Sequence, residues 1–76
     1  MPPRLPAVRP RAAIRALERA GFIVHHVTAS HYVLKKPTDP AVRVTVPFHR
    51  RDLKPGTLRS IIDQAGLSIE EFVELL

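Results

Sequence analysis

Thr28–Ala29–Ser30–His31–Tyr32–Val33–Leu34–Lys35–Lys36 decides the fold of this 76-residue chain. Thr28–Ser30 is small and polar, the chemistry of a tight turn. His31–Lys36 follows with an aromatic and a β-branched residue at its centre and predicts a strand. The preceding Phe22–Thr28 predicts another. So short a connection makes the pair an antiparallel hairpin, and it sets a histidine on the first position of the second strand.

The flanking segments complete an α+β domain. Residues 1–9 hold three prolines and no periodicity, and read as an extended arm ahead of a single domain over 10–76. Pro10 suits the first position of a helix to Ala20, with Ala13, Ile14, Leu17 and Ala20 at helical spacing and arginines along the other side. Gly21 supplies the left-handed stop. After the hairpin, Pro37–Pro40 reads as a turn whose two prolines neither flanking strand could hold. Ala41–Val46 is a third strand, its valines on one face and Arg43 on the other. Pro47–Gly56 is a cationic loop. Thr57 can cap a helix to Ala65. Ser68 and Glu71 have capping-box spacing ahead of a last short helix over Ile69–Leu75, with Leu67 and Phe72 as its hydrophobic staple. Both main helices can cover one face of the three-stranded antiparallel sheet. This is the dsRBD-like layout α-β-β-β-α with a short C-terminal helix.

Charge distribution speaks to partners. Twelve Lys and Arg against seven Asp and Glu give a net charge of +5. All twelve cations fall in residues 1–59, for a net of +9, while residues 60–76 carry no cation and four acids, a net of −4. A basic body of this kind points to a polyanion. The chain has no cysteine, so neither disulfides nor thiolate metal sites are available to it. No apolar run reaches the roughly 18 residues of a membrane span, and the expected location is cytoplasmic.

Four histidines carry the candidate chemistry. An imidazole such as His31 exchanges protons near neutral pH; its plainer role is a strand-edge residue that stacks or hydrogen-bonds. His49 sits beside the basic loop, as a phosphate contact, a partner acid or a loop-holding residue. Adjacent His25 and His26 should point to opposite faces of their strand, too far apart to share a metal. Neither ligand spacing nor a carboxylate cluster suggests a metal or cofactor site. Lys35, Lys36, Arg43, Arg50, Arg51 and Lys54 are the expected phosphate contacts, on a basic sheet face and the loop beside it.

Several pieces in fixed order resemble the HicA-type toxins of bacterial toxin–antitoxin pairs. They are Leu17-Glu-Arg-Ala-Gly-Phe22, Ser30-His31, Val46-Pro-Phe-His49, Leu53-Lys-Pro-Gly-Thr-Leu58, Ile61, Gln64-Ala-Gly66 and Glu71-Phe72. The resemblance runs from about Val8 to Phe72. It implies a dsRBD-like ribonuclease that cuts mRNA without the ribosome, a HicB-type antitoxin that masks it, and a catalytic histidine at His31 with Ser30 beside it. Such toxins usually carry glycine where this chain has Ala29; a turn that needed positive φ there would strain the alanine. The rival functions are a non-catalytic RNA-binding module of the same fold and a protein whose basic face serves only an acidic protein.

Overall fold

The computed structural model describes residues 5–76. The first four residues of the expected arm lie outside the described residues. From Leu5 to Arg9 the chain forms neither helix nor strand, yet it is tied to the body: Val8 is buried, and its carbonyl accepts the Leu53 N–H at 2.7 Å.

Helix α1 spans Pro10–Arg19 and buries Ala13, Ile14, Ala16 and Leu17 on one side. It ends at Gly21, φ 100°, where the Gly21 N–H donates to the Glu18 carbonyl and the Phe22 N–H to the Leu17 carbonyl. This left-handed closure satisfies the last carbonyls and turns Phe22 into the core, where it is 2% exposed. Strands β1 (Ile23–Val27), β2 (His31–Lys36) and β3 (Asp39–Pro47) form an antiparallel sheet in the order β1-β2-β3. Helices α2 (Pro55–Ala65) and α3 (Ile69–Glu74) follow. The fold is α+β, as the element order predicts.

Apart from shifts of one residue at element ends, the boundaries that differ from the sequence expectation lie at prolines. The turn after β2 contracts to Pro37–Thr38, and β3 takes in Pro40 and Pro47. An edge strand tolerates them because one row of its N–H groups needs no partner. The ladder also breaks there: Lys35 faces Arg43 and Lys36 faces Asp39, which leaves Pro40–Val42 outside regular pairing. The Asp39 carboxylate, 3.3 Å from the Ala41 nitrogen, accepts that N–H. Helix α2 starts at Pro55 rather than at a Thr57 cap, and Lys54 at its N-cap makes no side-chain capping bond. Proline's fixed φ favours the first helical position and outweighs the threonine. The Ser68–Glu71 capping box forms as its spacing predicts.

Leu34, Val44 and Val46, all 0% exposed, join α1, α2 and Phe72 in one core cluster. By alternation the other sheet face carries His31, Val33 and Lys35 on β2, with Pro47, Thr45 and Arg43 opposite them on β3. At the far end of the chain, the Arg19 guanidinium donates to the Leu75 carbonyl at 2.6 Å and ties α3 to α1.

Candidate active site

The hairpin end that carries His31 is closed by side chains. Thr28 Oγ1 accepts the His31 N–H at 3.0 Å, and the Thr28 N–H donates to the His31 carbonyl at 2.9 Å. Neither Ala29 nor Ser30 has positive φ, so alanine sits in this turn without strain. The threonine hydroxyl replaces a backbone acceptor that a primed two-residue turn would supply. Ser30 Oγ lies 2.9 Å from His31 Nδ1, and both residues are exposed. The Ser30 carbonyl accepts the Phe48 N–H at 2.7 Å, which fixes this turn to the exit of β3.

The expected cations divide into three groups. Lys35 and Arg43 share the open face with His31 but lie four residues along the ladder, about 13 Å at a strand rise of roughly 3.3 Å per residue. Lys36 points to the helix side, where its ammonium sits 5.5 Å from the centre of the Phe22 ring. Arg50, Arg51 and Lys54 are exposed in the β3–α2 loop, near the end of the sheet that holds His31. His49 is fixed within that loop, its Nδ1 accepting the Arg51 N–H at 3.1 Å.

The two adjacent histidines do not point apart. A β-bulge between Val24 and His26 sets two residues of β1 against one step of β2, and it brings His25 Nδ1 within 2.9 Å of His26 Nδ1. Lys35 is the main cause of a lowered pKa at His25, with partial desolvation, His26 and Arg43 adding to it. Among the described residues, no group of three or more His, Asp or Glu is placed to hold a metal ion.

Sequence reasoning missed a cluster on the helix side of the same sheet end. Phe48 stacks on Tyr32 with ring centres 4.7 Å apart and planes tilted by 31°. Phe48, His49 and Arg50 line a cavity of about 390 Å³ together with Arg9 and Arg11. Arg11 is visible in the sequence as part of the polar stripe of α1 and Arg9 as the last residue of the arm, but nothing in their spacing joins them to a loop some forty residues later.

A family model described as the HicA toxin of bacterial toxin–antitoxin systems matches residues 10–67. The chain belongs to the HicA toxin family. Comparison with curated proteins finds no significant match. This HicA chain is accordingly the toxin of a toxin–antitoxin pair, and an antitoxin is its partner. No helix among its described residues is long and apolar enough to cross a membrane.

Proposed function

We propose that this HicA toxin is a metal-independent endoribonuclease of dsRBD-like fold that cleaves mRNA in the cytoplasm. In this reading His31 is the acid–base residue and a HicB-type antitoxin silences it. The observation that carries it is the exposed His31 imidazole held through Nδ1 by Ser30 Oγ at 2.9 Å. A serine hydroxyl can accept as well as donate. With Nδ1–H donating to Ser30, Nε2 keeps its lone pair and faces outward as the base.

The substrate then supplies its own nucleophile. His31 Nε2 takes the 2′-hydroxyl proton, and the 2′-oxygen attacks the adjacent phosphorus. The P–O5′ bond breaks, leaving a 2′,3′-cyclic phosphate on one product and a 5′-hydroxyl on the other once that oxygen is protonated. Arg50 and Arg51 supply positive charge at this end of the sheet, where charge builds on the phosphate. Lys54, Lys35, Arg43 and His49 extend the basic surface for longer RNA, and Lys36 adds positive charge on the helix side.

A positioned general base contributes roughly 100- to 10,000-fold, so His31→Ala should lose activity on that scale and still bind RNA. Cleavage should survive a chelator and stop when the scissile ribose is replaced by deoxyribose. Cutting at that deoxyribose, or full loss of cutting with chelator, would refute the mechanism. RNA binding without turnover in the wild type would leave a non-catalytic binding module.

A further inference from the structure

We propose that the cavity between the start of α1 and the β3–α2 loop is a subsite for one nucleotide of single-stranded RNA. Its phosphate is held by Arg9, Arg11 and Arg50, and its base stacks on Phe48. The subsite rests on the ribonuclease reading above for its biological substrate, and on its own geometry for everything else.

Size and lining agree with that occupant. About 390 Å³ falls within the roughly 300–1,000 Å³ of small-molecule sites. Three arginines line it and no acidic residue does. Glu18 lines the adjoining cavity beside Arg11, and Asp52 lies 3.9 Å from the Nε of Arg9, whose side chain is 72% exposed. So long and exposed a pair leaves the guanidinium free for a stronger anion. Arginine suits phosphate because its planar fork gives two parallel N–H donors.

The aromatic element distinguishes a nucleotide from a bare anion. Phe48 borders this cavity and a second one of about 210 Å³, which Arg11, Arg15 and Tyr32 also line. Its tilted stack on Tyr32 fixes the ring, so little side-chain entropy remains to be lost when a base arrives. Because His49 Nδ1 accepts the Arg51 N–H, the neutral imidazole carries its proton on Nε2 and offers a donor to a phosphate or base oxygen. A base must be unstacked to lie on a ring, which restricts the subsite to single strands.

The subsite is also in register with the hairpin turn. Pro47 faces His31 across the ladder, and the Phe48 N–H is bonded to the Ser30 carbonyl at 2.7 Å. A nucleotide seated on Phe48, on the helix side of this sheet end, therefore limits which ribose further along the same strand can reach His31 on the open face.

The test uses wild-type protein and a short 2′-O-methyl RNA, which lacks the 2′-hydroxyl and is not consumed. 2-Aminopurine is placed at each position in turn, since stacking on an aromatic ring quenches its fluorescence. Quenching is expected at one position of the single strand. Phe48→Leu, which keeps apolar volume and removes the π-face, should abolish it and weaken binding about fivefold or more. Arg9→Ala with Arg11→Ala, both on exposed residues, should lower the salt slope by about 0.7 for each phosphate that is no longer neutralised. Quenching at no position, quenching unchanged in Phe48→Leu, or an unchanged salt slope in the arginine variant would overturn the subsite. None of these readouts depends on cleavage: a fully active His31→Ala would sink the mechanism and leave the subsite standing.

Discussion

On the proposed mechanism Ser30 is a positioning residue, and its contribution can be estimated before it is measured. Ser30→Ala removes the hydroxyl that lies 2.9 Å from His31 Nδ1. In the ground state this is a bond to a neutral imidazole, with a net worth of about 0.5–1.5 kcal/mol; a bond to a charged group is worth about 1.5–3 kcal/mol. As Nε2 gains the substrate proton the imidazole becomes cationic, so only the difference, about 1–1.5 kcal/mol, lowers the barrier. At 1.36 kcal/mol per decade that is about 5- to 13-fold in the cleavage step. Both residues are exposed, so water can stand in for the hydroxyl, and the lower part of that range is expected. Single-turnover cleavage gives the rate, and binding of 2′-O-methyl RNA gives affinity separately. Ser30→Ala should slow cleavage with affinity unchanged, and Ser30→Thr, which keeps a hydroxyl, should recover most of the rate. A full-speed alanine variant, or a loss expressed wholly in affinity, would refute the reasoning.

Ala29→Gly should lower stability by about 0.4–1 kcal/mol, because the native turn has no positive φ and glycine only frees the unfolded chain. For a domain of this size that is a fall of a few degrees in Tm, read by thermal denaturation, with cleavage unchanged. Phe72→Ala empties the anchor of α3, which is 0% exposed, and should cost about 3–5 kcal/mol, a large share of the stability of so small a domain. Ser68→Ala removes only the capping-box hydroxyl and should cost about 1 kcal/mol in urea titration. The lowered pKa of His25 means that, between its folded value and 6.5, the unfolded chain binds more protons than the folded one. Stability should therefore rise with pH through that window and be fully present above 6.5; His25→Gln should flatten the rise, and an unchanged pH profile would show that folding does not lower the His25 pKa.

The order of elements is legible because each boundary has a local chemical cause. Gly21 and Gly66 end helices with positive φ, Ser68 and Glu71 start one, and the valines of β3 alternate at period two. Where two local signals compete, sequence alone gives no ranking: Pro55 and Thr57 both start helices, and the proline prevails. The prolines of β3 escape a local reading for a different reason. Whether a strand tolerates proline depends on its being at an edge, which is a property of the sheet and not of the segment. The bulge in β1 is less legible still. Strict alternation separates His25 from His26, and only the pairing of β1 with β2 shows that one extra residue is accommodated there. The same alternation does separate Lys35 from Lys36, and it suffices to place one of them on the helix side.

The site is legible where it is local and hidden where it is assembled. Ser30 and His31 are neighbours, so their contact needs only the turn; the arginine cavity needs α1 and the β3–α2 loop to meet at one end of the sheet. What the structure adds is a constraint on how such a chain can catalyse. Among the described residues no polar or charged side chain is buried, since 76 residues spend their interior on one apolar cluster. Every candidate catalytic group stands in water or at its margin, so on the proposed mechanism an enclosed, desolvated site is not the source of rate. Orientation remains: Thr28 and Ser30 hold His31, the Phe48 N–H holds that turn to the exit of β3, and Tyr32 braces Phe48. An RNA chain suits such a surface because it brings its own nucleophile, one bond from the ribose and beside the phosphate it attacks. On the proposed mechanism the protein has only to hold one nucleotide still and present one nitrogen to a ribose of the same strand.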